Sequence, residues 1–187
     1  MPYELPHAGQ TLLLGRHART ALNAAGRIRG RSDPALDETG LAEAAAMAER
    51  LSGSGVEAVV TSPLQRARVT AETVAARLAI PVRVDERFTD RDFGEWTGHL
   101  ISEVETRWGS LGAAPGVEPE ADVLDRTLPA LDDALRWSAP ILVVTHDVVI
   151  EPLTERLTEG GGRLTVPTGG WVELRRADRG PWRHIAR

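Results

Sequence analysis

Hydrophobic positions along the chain fall into short runs and helical stripes that alternate. Thr11–Gly15 is an aliphatic run of the buried-strand kind, and a polar, Gly- and Arg-rich loop follows it through Asp37. Leu41, Ala44, Ala45, Ala48 and Leu51 then recur at helical spacing, and Gly53 and Gly55 stop that helix. Glu57–Thr61 predicts the next strand. Ser62-Pro63-Leu64-Gln65 reads as a helix start, with Ser62 as N-cap, Pro63 in the first helical position and Gln65 three residues after the cap. Leu64, Ala67, Ala71, Val74 and Leu78 form the apolar stripe of that helix. Ile80–Asp85 predicts a third strand, and Phe88–Gly98 an irregular loop rich in charge and aromatic rings.

A further helix is predicted from Glu120 to Trp137, with Val123, Leu124, Leu128, Leu131 and Leu135 facing inward. Pro140–Thr145 is the most strongly buried-looking strand. The helical segment after His146 is complicated by Pro152, and Gly160–Gly162 breaks the chain. Trp171–Arg175 and Trp182–Ala186 read as a closing pair of strands. Strands alternating with helical stripes predict an α/β fold, a three-layer α/β/α sandwich whose mostly parallel central sheet is covered on both faces. Ligands in such folds bind beyond the carboxyl ends of the strands.

Composition narrows this picture. A length of 187 residues suits a single domain over 1–187. The net charge of −5 gives no sign of a nucleic-acid or membrane-surface binder that works by bulk electrostatics. All 22 basic residues other than His are Arg, a side chain suited to anion recognition. The absence of Cys excludes disulfides, thiolate metal sites and a Cys nucleophile. With no signal pattern and no apolar run near ~18 residues, the expectation is a soluble, cytoplasmic protein. A homodimer is compatible with this reading, and nothing in the pattern specifies one.

Three apolar strands end on polar residues: Arg16-His17, Ser62 with Arg66 one turn later, and His146-Asp147. If these strands are parallel neighbours, the polar groups converge on one crevice. Arg66 in a first helical turn opposes the helix dipole, yet a helix N-terminus plus an Arg also makes an anion site. With Arg16 beside it, two guanidiniums would surround one phosphate or carboxylate. Two His residues at buried strand tips suit nucleophilic attack on phosphorus, with the Arg cations keeping the imidazole neutral. A metal centre is the alternative for such a pair. It is thin here, because HExxH, His-x-His and Cys are all absent, and no metal or other cofactor is expected. A serine hydrolase lacks its G-x-S-x-G elbow.

These blocks resemble the histidine phosphatase superfamily in its phosphoglycerate-mutase-like branch. "LLLGRHARTALNAAGRIRGRSDPALDETG" resembles the opening RHGET-like block, and "TSPLQRARVTAET" the S-P-L-x-R-A block. "FTDRDFGEWTG" is similar to the L-x-E-x-x-F-G-x-W-E-G block, and "ILVVTHDVVI" stands where the family has V-x-H-G. The resemblance spans Leu12 to Ile150 and is specific for fold and chemical class, far less so for substrate. It implies His17 as a nucleophile forming a phosphohistidine. It implies Arg16, Arg66 and His146 around the phosphate, with Asn23 touching it from the loop, and Asp90 as the general acid. A metal-independent phosphomonoesterase acting on a small phosphorylated metabolite is the reading it supports. A phosphoglycerate mutase and a non-catalytic phospholigand binder are the alternatives.

The chain departs from the family pattern at four places. Ala18 stands for a glycine beside the nucleophile, and Arg19 for a glutamate, which would make the pocket mouth more cationic. Asp90 replaces the longer Glu. Asp147 follows the second His where Gly is usual, and it is an alternative proton donor, because a His-Asp pair supplies the acid in the acid-phosphatase and phytase branch. Helix capping is its ordinary role. Arg19, Arg29, Arg31 and Arg91 would suit a substrate with a second acidic group. Residues 96–120 and 160–171 are expected to wall the leaving-group side. His7, His99 and His184 match no motif position.

Overall fold

The computed structural model describes residues 9–177 and 180–186, so His7 lies outside the described residues. A six-stranded sheet runs in the order β3-β2-β4-β1-β5-β6. Its parallel part is built from β1 (Gln10–Arg16), β2 (Ala58–Thr61), β3 (Val82–Val84) and β4 (Ile141–Thr145). The closing strands β5 (Trp171–Arg176) and β6 (Arg183–Ile185) are antiparallel. Helices α2 (Glu38–Arg50), α3 (Gln65–Leu78), α5 (Glu120–Trp137) and α6 (Asp147–Leu157) supply the two outer layers. The short helices α1 (Ala21–Ala24) and α4 (Ile101–Trp108) lie in the connections. This is the three-layer α/β sandwich that the alternating pattern predicts.

The period-2 alternation of the strands decides which layer each residue meets. Leu12, Leu14, Val60, Ile141 and Val143 face Leu131, Leu135, Ile150 and Leu153 of α5 and α6. Their neighbours Leu13, Val59, Leu142 and Val144 face Met47, Ala48, Ala67, Ala71 and Val74 of α2 and α3. Both faces are dry, so β1 and β4 read as continuous aliphatic runs. A third cluster of Ile28, Phe93, Trp96, Val104 and Ala114 packs the loops above the sheet. It includes α4, which lies between residues 96 and 120 where no helix was anticipated.

One helix start differs from expectation. Helix α3 begins at Gln65, two residues later than a Ser62 N-cap requires, and its cap position is Leu64. The Ser62 hydroxyl accepts the Leu64 N–H at 3.3 Å but is otherwise occupied by His146. Asp33, from the preceding loop, accepts the Gln65 N–H at 2.6 Å in its place. A side chain 32 residues away thus does the capping.

Gly40 shows how tightly α2 seats the loop after β1. A Cβ there would stand 2.0 Å from the Arg19 carbonyl oxygen, so only glycine admits the approach.

Candidate functional site

Backbone ladders hold the three strand ends level. His17 N–H donates to Thr145 O at 2.9 Å, Ser62 N–H to Val144 O at 3.0 Å and Arg16 N–H to Gly170 O at 2.9 Å. These bonds extend the β2-β4-β1 register past the strands and bring His17, Ser62 and His146 to one edge. His17, Ser62, Arg66 and His146 are fully buried there, and Asp90 is almost so. The two imidazole rings lie 5.2 Å apart, centre to centre, tilted by 56°.

A hydrogen bond fixes which nitrogen of the His17 ring is free. His17 Nδ1 lies 2.7 Å from the Ala18 carbonyl, which can only accept, so Nδ1 carries the proton and Nε2 keeps a lone pair. His146 Nε2 lies 2.8 Å from Ser62 Oγ. That hydroxyl also accepts the Leu64 N–H, and with its second lone pair and its own proton it can meet either tautomer of His146. Nδ1 is 3.5 Å from Asp90 Oδ2. Burial, His146 and Arg66 hold the His17 pKa well below its usual 6.5. Burial and Arg66 do the same for His146. Both rings are neutral near pH 7.

Three guanidiniums surround the pair. Arg66 is buried in the first turn of α3 and donates to Ser32 O at 2.7 Å, Gly30 O at 2.8 Å and Asp90 Oδ2 at 2.7 Å. Arg16 donates to Val166 O at 3.0 Å and pairs with Asp147 Oδ2 at 2.7 Å. Arg29 donates to both Asp147 oxygens at 3.2 and 3.3 Å. Burial pushes the Asp90 carboxyl above the ordinary carboxylate range, and the Arg66 charge pulls it back without cancelling the rise. Burial would raise Asp147 too, but Arg16 and Arg29 outweigh it and hold that carboxyl low.

Five buried polar atoms in this cluster make no hydrogen bond: the Nε atoms of Arg16, Arg29 and Arg66, His146 Nδ1 and His17 Nε2. Three of them are guanidinium N–H donors, and His17 Nε2 is a lone pair. Orphaned buried groups are rare in folded proteins, and this concentration suits an oxyanion approached by a nucleophilic nitrogen. Among the described residues, no group of three or more His, Cys, Asp or Glu is placed to hold a metal ion. No helix among them is long and apolar enough to cross a membrane.

The anticipated residues are therefore largely brought together: Arg16, His17, Arg66, Asp90, His146 and Asp147 share one crevice. Asn23 is only half-buried, and its Oδ1 accepts the Thr20 N–H and hydroxyl in a capping box on α1. Arg19 does not add charge to the mouth, because its Nε donates to both Asp37 oxygens at 3.3 and 3.0 Å. His99 packs edge-on against Trp96, and exposed His184 sits on β6. Sequence reasoning gave Arg29 only a secondary place, placed Ser62 at the crevice as a helix cap and not as a partner of His146, and gave Arg126 no place. Arg29 had a signal, the second Arg of the "GRIRG" loop. Arg126 had none, since it reads as a solvated position on a helix.

A mostly parallel sheet that gathers two neutral histidines and three arginines at its carboxyl edge defines an α/β protein with a cationic crevice where such folds bind their ligands. The chain belongs to the histidine phosphatase superfamily (branch 1), whose sequence profile matches residues 12–184. It is 37% identical over 162 residues to a bifunctional protein of Mycobacterium tuberculosis, covering 80% of this chain and 44% of that one. The chain thus spans about half the length of the curated relatives it matches at that identity, 44%. It is 30% identical over 193 residues to a glucosyl-3-phosphoglycerate phosphatase of Mycolicibacterium vanbaalenii, covering 94% of this chain and 83% of that one. A solved structure named Mycobacterial hydrolase 1 superposes with a TM-score of 0.86 at 25% identity, covering 95% of this chain and 97% of that one.

Proposed function

We propose that the protein is a metal-independent phosphomonoesterase that hydrolyses a small phosphorylated metabolite through a phosphohistidine on His17. The observation that carries this reading is the buried, unpartnered Nε2 lone pair of His17 set among three unpartnered guanidinium N–H groups. The phosphoryl oxygens lie against Arg16, Arg66 and His146, while Asn23, tied to Thr20 in its capping box, would have to turn from it to touch them. Nε2 attacks phosphorus, the P–N bond forms and the P–O ester bond breaks. Asp90 gives its proton to the departing alkoxide. Water then attacks the phosphohistidine while the Asp90 carboxylate takes a water proton, releasing phosphate and neutral His17.

Two features favour Asp90 over Asp147 as donor. Burial raises Asp90, whereas two guanidiniums keep Asp147 ionised. An arriving dianion also competes for Arg66, the cation that now restrains Asp90, so substrate binding itself raises the acid's pKa. The phosphatase named among the relatives supports hydrolysis as the outcome.

Replacing the nucleophile tests the reading. His17→Ala should lower kcat/KM for p-nitrophenyl phosphate by about 10³-fold or more. Retention of most of the activity would remove His17 from the chemistry.

A further inference from the structure

Asp147 is an anomaly in a site organised for anions. It is the first residue of α6, directly after His146 at the end of β4. Its carboxylate pairs with Arg16 at 2.7 Å and with Arg29 at 3.2 Å, and accepts the Val148 N–H at 3.1 Å. It occupies the terminal nitrogens of two guanidiniums whose Nε edges make no hydrogen bond. The charge also reaches the reacting groups, since both His17 and Asp90 feel it. The carboxylate of Glu151, one turn along α6, feels it as well.

A structural account of this carboxylate would have it hold the two arginines in place. Both have other anchors, however. Arg16 also donates to Val166 O at 3.0 Å, and Arg29 to Arg27 O at 3.3 Å. Arg29 is buried besides, with Ile28 beside it locked into the third hydrophobic cluster. What Asp147 adds beyond anchoring is a negative charge beside the place where a phosphate dianion would sit. Two anions that share two cations weaken each other's hold.

We propose that Asp147 is a built-in anion that shares Arg16 and Arg29 with the phosphoryl group and so limits how tightly the site retains inorganic phosphate. The proposal rests on reading the crevice as a phosphate site. Its consequence is easy product release: a cradle with three arginines would otherwise hold free phosphate strongly, and Asp147 offsets one of them.

The experiment is calorimetric titration of inorganic phosphate into the wild-type protein and Asp147→Asn, alongside steady-state kinetics on phosphomonoesters with good and poor leaving groups. Asparagine removes the charge and keeps one oxygen for the Val148 N–H and Arg29, while its NH2 group replaces the oxygen that faces Arg16. The expected result is phosphate bound at least about tenfold more tightly in Asp147→Asn, with a lower KM and with kcat affected alike for every leaving group. Should Asp147→Asn fail to fold, Asp147→Ala is read by the same titration. Equal or weaker phosphate binding in the soluble variant overturns the proposal and makes Asp147 a brace for the arginines. A loss confined to poor leaving groups overturns it in favour of a proton donor. Absence of phosphate binding in both proteins overturns the site reading as well, whereas measurable wild-type binding that the variant does not improve removes this inference alone.

Discussion

At the scale of single residues, Asp90 and Asp147 show how environment separates two identical side chains. Both are carboxylates next to arginines, yet one is pushed up by burial and the other held down by two cations. Asp90 Oδ1 accepts the Arg91 N–H at 2.8 Å, which leaves Oδ2 turned toward Arg66 and His146. Only that oxygen faces the reacting groups. Asp90→Asn keeps the volume and one acceptor oxygen while removing the transferable proton. It should lower kcat for alkyl phosphates by roughly 10²–10⁴-fold, and affect p-nitrophenyl phosphate much less, because that leaving group departs without protonation. Comparing kcat against leaving-group pKa for the two proteins checks this. Equal losses across the series would mean that Asp90 merely braces Arg66.

At the scale of elements, what could be read from the chain was what repeats locally. The aliphatic runs of β1, β2 and β4 and the stripes of α2, α3 and α5 stand out because both faces of the sheet are dry. Their strand ends then locate Arg16, His17, Ser62, Arg66 and His146 almost automatically. Contacts between distant segments leave no such periodicity. The capping of α3 by Asp33, the loop that brings Arg29 inward and the helix α4 under that loop all depend on partners far along the chain. Arg126 is the clearest case. On α5 it looks like an ordinary polar position, but its guanidinium donates to the carbonyls of Arg87, Thr89 and Asp90 at 2.5, 2.8 and 3.3 Å. It also pairs with Glu118 at 2.9 Å, and Glu118 in turn accepts the Asp92 N–H. The segment carrying Asp90 is therefore clamped to α5. Arg126→Gln should lower kcat roughly 10–10²-fold, since displacing a reacting group by about an ångström has effects of that size. If Arg126 acts by placing Asp90, the loss should grow with leaving-group pKa, and Arg126→Lys should restore part of it. A uniform loss in kcat with a matching fall in thermal stability would assign Arg126 to folding alone.

For the whole molecule, the site imposes a pH dependence on stability that its surface charges do not. Several ion pairs among the described residues are exposed, such as Arg77–Glu49 and Arg163–Glu155, and exposed pairs contribute little. His17 and His146 are different, being buried and neutral, with folded pKa values well below the usual 6.5. Below pH 6.5 the unfolded chain takes up protons on both rings and the folded protein does not. Stability must then decline as pH falls, and it is fully present only above that value. Asp90 opposes this, because its raised pKa lets the folded state bind a proton that the unfolded state releases above its usual 3.8. One carboxyl cannot offset two histidines, so the melting temperature should drop between pH 7 and pH 5 by several degrees, at about 2–4 °C per kcal/mol for a chain of this size. Replacing one of the two rings isolates the cause: His146→Gln should flatten the slope of melting temperature against pH, whatever it does to the value at pH 7. An unchanged slope would mean that this ring becomes protonated inside the fold, and the neutral rings assigned to the site would have to be abandoned with it.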